Sequence, residues 1–540
     1  SDLLKSKKMT QLATREIPQV TIDTRSSSDV AVGTSQEKYK KLMSWDLPGF
    51  QDTYLIDLKS GSARPVLEKG RSGGRLSPGG KYILWWDTDQ RAWMALPTAN
   101  QKGGGRPVSI STGIPHELYD VLHDTPSDPR PYGVAGWLDD DRGVLVYDRY
   151  DIWLLDPSGR QAAKCITQGE GRAASRRYRY VQLDPLQRSI NPEQRLVLSM
   201  FDEGTKGSGY ATLNLGSGKA PATRLSLDEN VGGLKKAKDS DAVLVTRSTF
   251  RRSPDLWYST LAMDSLTRIS RINPQQMEYR WGTAELVHWD SSDGTPLDGI
   301  LYKPDGFDPQ KKYPMLVYFY ERNSDKLHSY YPPAAGRSII NFSFYVSRGY
   351  LVFVPDIPYK TGFPGQSAAD AILPGVNHLV KQGFIDEAKI GMQGHSWGGY
   401  QTAFLVTQTD MFACAESGAP VSNMTSAYGG IRWSSGMSRM FQYEKTQSRI
   451  GATLWEDREK YILNSPLFHA DKINTPLLIL HNDEDGAVPW YQGIELFVAL
   501  RRLEKPAWLL NYNQQPHWVI DRKSTRLNSS HANISYAVFC

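Results

Sequence analysis

Cysteine is nearly missing from this 540-residue chain: Cys165, Cys414 and Cys540 are the whole complement. Three thiols without a CxxC spacing build neither a disulfide framework nor a cysteine zinc site, and they leave the compartment open. Long apolar runs are missing too, since none approaches the roughly 18 residues that a membrane helix requires. The first residues, SDLLKSKKMTQ, are polar, have no apolar signal-peptide core and open on Ser1 rather than Met, which reads as a processed or truncated product. A periplasmic or secreted location thus stays open if a leader has been lost, with the cytoplasm as the alternative. Charge of one sign is not concentrated either: 63 basic and 58 acidic residues leave a net charge of +5 scattered along the chain. Without a clustered basic stripe, nucleic acid is not an expected partner.

What the chain has in quantity is turn formers and aromatics, with 46 Gly, 32 Pro, 28 Tyr and 15 Trp. That mixture points to a substantial β component. The length exceeds one ordinary core, so at least two domains are expected.

From about residue 30 to about 275, strand-like runs alternate with Gly, Pro, Asp and Ser turns. Four stretches resemble one another: LSPGGKYILWWDTDQRAWMAL (76–96), WLDDDRGVLVYDRYDIWLLDPSG (137–159), INPEQRLVLSMFDEGTKGSGYATLNLGSG (190–218) and KDSDAVLVTRSTFRRSPDLWYSTL (238–261). Each reads as turn, strand, turn, strand. Asp156 and Asn214 occupy like positions 58 residues apart, and Asp57 precedes Asp156 by 99, near twice a propeller-blade period. A β-propeller over 1–280 is the expectation, with an irregular β-sandwich pair as the alternative. These residues hold five or six ordinary blades, so a seven- or eight-blade ring would need blades before Ser1.

Past INPQQMEYRWG, strand-like runs alternate with helix-length segments. Strands are predicted at TAELVHWD, LDGILYKP, PMLVYFY, YLVFVPD, KIGMQG, ACAESGA, PLLILH and AWLLNYN. Helices are predicted at SAADAILPGVNHLVKQG, GGYQTAFLVTQT and WYQGIELFVALRRLEK, the last with Ile494, Phe497 and Val498 on one side and Arg501 on the other. This alternation implies a mostly parallel sheet covered on both faces, an α/β domain over 281–520. The residues 521–540, DRKSTRLNSSHANISYAVFC, are polar, lack a sustained helical period, and read as a non-native or disordered tail outside the functional reading.

The strongest local signal is KIGMQGHSWGGYQTAFL, where Gly394-His395-Ser396-Trp397-Gly398 fits G-x-S-x-G between a strand and a helix. A nucleophile elbow requires that context, because small flanking residues let the backbone turn sharply. A serine nucleophile needs a base to take its proton and an acid to orient the base, in the order Ser, acid, His. Of the downstream histidines, His517 alone follows a strand at the right place. His469 and His481 read as structural, and His531 lies in the polar tail. His395 is beside the serine but leaves the elbow in another direction. The acid belongs after PLLILH, where Asp483, Glu484 and Asp485 stand together. Adjacent charges repel, so at most one is expected to be buried against the imidazole.

On these motifs the chain resembles the prolyl oligopeptidase family of serine peptidases, which includes dipeptidyl and acylaminoacyl peptidases. The likeness is closest over about 283–518. It implies a propeller followed by an α/β-hydrolase domain. The family's H-G-x-x-D-x-x-V-P loop lays its aspartate on Asp485, its G-x-S-x-G-G on Ser396, and its histidine on His517, 32 residues after Asp485. It also implies an oxyanion hole from Tyr320 in KYPMLVYFYER and from the backbone N–H of Trp397. Two features depart from the dipeptidyl peptidases. Ala487 stands where they carry an Asn, and the segment after Tyr428 has only Trp433, Phe441 and Tyr443 as large aromatics. Paired propeller glutamates for a free amino terminus are not identifiable either.

The expected function is therefore peptide hydrolysis through a Ser-His-Asp triad and an acyl-enzyme, on short peptides and with no metal or organic cofactor. An esterase using the same triad is the alternative, although a propeller ahead of it in the chain argues for peptides. A binding protein with an inert hydrolase domain is a further alternative. Oligomeric state is left open, a homo-oligomer being compatible with all of this.

Overall fold

A computed structural model describes residues 9–23, 28–99, 105–334 and 338–520. The segment 521–540 and its His531 and Cys540 lie outside the described residues. The chain divides into two compact units. Among the described residues, one comprises those up to His123, with Ser127–Val245 and Trp257–Thr267; the other comprises Asp124–Pro126, Thr246–Leu256 and those from Arg268 onward.

Five four-stranded sheets follow one another between Gln19 and Arg268, each with its strands in chain order. The four similar stretches are the central hairpins of the second to fifth sheets, at Tyr82–Asp87 with Ala92–Pro97, Val144–Tyr147 with Ile152–Leu155, Arg195–Asp202 with Ser208–Asn214, and Ala242–Ser248 with Asp255–Thr260. The first central strand of the second, third and fourth sheets is buried on both faces because those faces go to different neighbours. Ile83 and Trp85 pack with Val30 and Leu55 of the first sheet, while Leu84 and Trp86 pack with Val144 and Val146 of the third. Leu145 and Tyr147 in turn face Leu196 and Leu198 of the fourth, whose Val197 meets Val245 of the fifth. A strand's period of two thus stitches successive sheets face to face. Aspartates set the turns: the Asp156 carboxylate accepts from the N–H groups of Ser158, Arg160 and Gln161, and Asp57 likewise from Lys59 and Ser60.

The second unit is built on an eight-stranded sheet. Its strands are β1 (Thr283–Asp290), β2 (Pro296–Lys303), β3 (Tyr313–Tyr318), β4 (Leu351–Pro355), β5 (Ile385–His395), β6 (Cys414–Gly418), β7 (Leu477–Leu480) and β8 (Ala507–Leu510). Their order is β1-β2-β4-β3-β5-β6-β7-β8. β1, β2 and β4 pair antiparallel, and every pairing from β4 to β8 is parallel. β4 and β7 are buried at every residue, as strands covered on both faces must be. The helices α1 (Pro364–Val380), α2 (Trp397–Leu405) and α3 (Tyr491–Arg502) lie where the three were predicted, each ending a few residues earlier than the predicted segment.

The buried stripe of α3 differs from the predicted one. Gly493, Leu496 and Leu500 are buried, whereas Val498 is exposed. Gly493 sets that rotation, because a Cβ there would come within 2.6 Å of the His481 ring.

Candidate active site

The end of β5 and the start of α2 form one sharp bend, with Ser396 at φ 61° and ψ −116°. That is a costly conformation for a residue with a Cβ, and the surroundings enforce it. The Ser396 N–H bonds to Gly418 O at 2.7 Å, and the Ser396 carbonyl accepts the first helical bond of α2, from Tyr400 N–H. The glycines are steric requirements here. A Cβ at Gly394 would lie 2.2 Å from Gly398 O, and one at Gly399 would lie 2.1 Å from Gly418 O. The Trp397 N–H heads α2, where the first amides have no acceptor within the helix.

The loop after β7 carries Asp485, which is buried. Its Oδ1 accepts from the N–H groups of Ala487 and Val488, both at 2.8 Å. Its Oδ2 lies 2.7 Å from His517 Nδ1 and 3.3 Å from His481 Nε2. Burial by itself would raise the carboxyl's pKa, but the hydrogen bonds from both imidazoles outweigh it and hold Asp485 well below the usual carboxylate range. Since a carboxylate only accepts, His517 carries its proton on Nδ1 and leaves Nε2 basic.

The same loop grips the loop that carries His517. Asn482 donates to Pro516 O at 2.8 Å and accepts from Tyr512 N–H, while Asp483 Oδ1 accepts from Gln514 N–H at 2.7 Å. Asp483 is therefore half-buried and engaged, and of the three adjacent acids only Glu484 is exposed.

A cavity of about 460 Å³ brings Ser396, His517 and Tyr320 together with Arg432, Phe441 and Gln447, and Ala487 also lines it. Tyr320 follows β3. Its hydroxyl accepts from Gln447 Nε2 at 3.0 Å, which leaves the O–H proton to be donated elsewhere. Its carbonyl accepts from Tyr359 Oη and Gln401 Nε2, both at 3.0 Å. Tyr359 Oη also accepts from the Trp397 indole at 3.0 Å. One buried phenol therefore ties the backbone at Tyr320 to the residue after the serine.

His395 is buried and stacked, its ring centroid 4.8 Å from that of His517 and 4.3 Å from that of Trp518. Burial pushes its pKa down to about 3, helped by the neighbouring His517, so it stays neutral behind that histidine. Of the aromatics after Tyr428, Phe441 lines the cavity, Tyr443 is core and Trp433 is exposed.

Three participants were not legible as such. His481 reads as structural in the sequence, yet it shares the Asp485 oxygen with His517. Only its position four residues before the acid could have flagged it. Gln447 carries no motif. Arg449, almost fully buried, bonds Asp124 Oδ1 at 2.7 Å and lies over the Tyr359 ring, a pairing 325 residues apart in the chain.

A model of the prolyl oligopeptidase family matches residues 338–538, a range that includes Ser396, Asp485 and His517. The chain is 25% identical over 324 residues to the uncharacterised peptidase YuxL of Bacillus subtilis (strain 168), covering 58% of this chain and 47% of that one. It is 23% identical over 518 residues to a probable chloroplastic glutamyl endopeptidase of Arabidopsis thaliana, covering 83% and 50%. It thus spans about half the length of these curated relatives. Among solved structures, a putative dipeptidyl aminopeptidase IV from Bacteroides ovatus superposes with a TM-score of 0.63 at 15% identity, covering 93% of this chain and 74% of that one. That likeness is one of fold. Residues 338–538 of this chain thus carry a prolyl oligopeptidase family domain.

Proposed function

We propose that the chain is a serine peptidase that hydrolyses short peptides through an acyl-enzyme, with Ser396, His517 and Asp485 as its triad. The observation that carries this is the 2.7 Å pairing of His517 with buried Asp485, on a cavity that Ser396 also lines from a strained strand-to-helix bend. Ser396 Oγ attacks the scissile carbonyl while His517 Nε2 takes its proton. Asp485 holds the imidazole's tautomer and offsets the imidazolium charge. The Tyr320 hydroxyl and the Trp397 N–H stabilise the oxyanion, in a site already organised before charge develops. Collapse expels the amine, which takes the proton back from His517, and water repeats the sequence to free the acid and the serine.

The five sheets at 19–268 are read as blades of a propeller, supported by their face-to-face packing in chain order. The domain boundaries near 280 and 520 remain part of this reading. An esterase would use the same residues, and the peptidases among the relatives favour peptides.

A fluorophosphonate probe should label the wild-type chain and not Ser396→Ala, and a library of short peptides should be cleaved only by the former. A correctly folded wild type that takes no label would overturn the assignment. Labelling with ester but no peptide turnover would favour the esterase.

A further inference from the structure

Resting on the peptidase reading above, we propose that Arg432 is a specificity residue, selecting substrates that present a side-chain carboxylate at the residue whose carbonyl Ser396 attacks. Arg432 ends the short strand Ile431–Arg432, which pairs antiparallel with Met437–Ser438. The hairpin is fastened to the acid loop, since Ser434 N–H bonds to Gly486 O at 2.9 Å. The backbone is therefore held where the Arg432 side chain lines the same cavity as Ser396 and Tyr320.

The charge balance around that cavity is one-sided. None of the residues lining it is acidic, and besides His517 only Arg432 can carry a positive charge. Among the described residues the Arg432 guanidinium has no hydrogen-bond or ion-pair partner. The other nearby charges are already engaged. Asp485 gives its four short contacts to two backbone amides and two imidazoles. Arg439 is buried and donates to Ala487 O. Arg449 is paired with Asp124 and Glu321.

Burial lowers the pKa of half-buried Arg432, with Arg439 acting in the same direction against the smaller opposing effects of Asp485 and Tyr320. A guanidinium presents a planar fork of donors that matches a carboxylate with two parallel bonds. Gln442 and Gln447 also line the cavity but carry no charge, so Arg432 is the one guanidinium in the lining that an acidic side chain entering beside the serine would meet.

The test uses amino-blocked peptide coumarin amides that differ only at the residue before the scissile bond: Glu, Gln, Lys and Ala. In wild type, kcat/KM for Glu should exceed that for Gln by about 10- to 100-fold, as expected for a charge-assisted pair. In Arg432→Gln the Glu/Gln ratio should fall to near 1, Arg432→Lys should keep part of it, and Arg432→Glu should turn the preference toward Lys.

A wild-type ratio near 1, or a ratio unchanged in Arg432→Gln, overturns the proposal. A second series of longer peptides with free or amidated carboxyl termini separates the sources of the carboxylate. If amidation rather than Glu-to-Gln exchange removes the dependence on Arg432, the guanidinium reads the chain terminus and the assignment to the side chain is wrong. Fluorophosphonate labelling of each variant reports on Ser396 independently, so failure of the peptidase reading is distinguishable from failure of this one.

Discussion

Replacing Asp485 by Asn tests the geometry most severely, because the substitution keeps shape and removes one acceptor. The two carboxylate oxygens have different partners: Oδ1 faces the N–H groups of Ala487 and Val488, and Oδ2 faces the two imidazoles. An asparagine can satisfy only one side with its oxygen. With oxygen on the backbone amides, its NH2 confronts His517 Nδ1 and forces the proton to Nε2, where it blocks the base. Loss of tautomer in this way costs about 10⁴ in kcat in trypsin-like triads, or roughly 5.4 kcal/mol. With oxygen on His517, the tautomer is restored but two buried N–H donors face an NH2 group, at about 1–3 kcal/mol each. That flipped state is therefore populated at about 1 part in 30 to 1 in 3 × 10⁴. Activity should fall between those limits, read as kcat/KM on a short coumarin-amide peptide with the thermal midpoint measured in parallel. Exposed Glu484→Gln, two bonds from the same loop's backbone but facing water, should change little. A folded Asp485→Asn variant that loses less than tenfold would refute the assignment of Asp485 as the orienting acid.

If Tyr320 is one of the two proposed oxyanion donors, Tyr320→Phe should lower kcat by about 10²- to 10³-fold with little change in KM, because it removes the hydroxyl and leaves the cavity's shape intact. Gly399→Ala should lower the thermal midpoint through a loss of about 1–3 kcal/mol or more, since its Cβ would stand 2.1 Å from a backbone oxygen that β6 cannot move. The half-buried Glu416 on β6 has Oε1 sealed without a partner among the described residues, and burial pushes its carboxyl up to about 8. The unfolded chain therefore holds fewer protons than the folded one between the ordinary glutamate range and about pH 8. Stability should be fullest at the acid end of that window and decline as pH rises through it. Chemical denaturation at a series of pH values should show this slope in wild type and a flatter one in Glu416→Gln; parallel slopes would refute it.

The sheet of the second unit was legible through short apolar runs bounded by turn residues: β4 and β7 are buried at every residue and read as unbroken runs, whereas β1 alternates buried and exposed positions over its second half. The central hairpins of four of the five N-terminal sheets were legible for the same reason. The first sheet was not, because the 3-10 turn Glu37–Ser44 separates its central strands and breaks the repeat. The outer strands, such as Arg75–Leu76 and Lys164–Cys165, are two residues long and carry no period of their own.

At the site, Ser396 and its glycines were legible because the bend excludes other residues at those positions, so that local sterics write themselves into the sequence. Asp485 was separated from its neighbours only by the family resemblance; the structure adds the physical reason. It is the carboxylate whose loop turns two of its own backbone amides onto it, while Asp483 is drawn the other way to hold the histidine's loop. What stayed hidden is what long-range packing decides. Gln447 and Tyr359 touch Tyr320 from distant parts of the chain, Arg449 packs on Tyr359, and His481 meets Asp485 across a loop, and no local pattern distinguishes such residues from ordinary core. The same holds for Arg432, one arginine among many until the fold sets it in the cavity that Ser396 lines, with no hydrogen-bond or ion-pair partner among the described residues. Its effect on substrate choice follows from the anions nearby being committed elsewhere, a property of the whole site that no single motif carries.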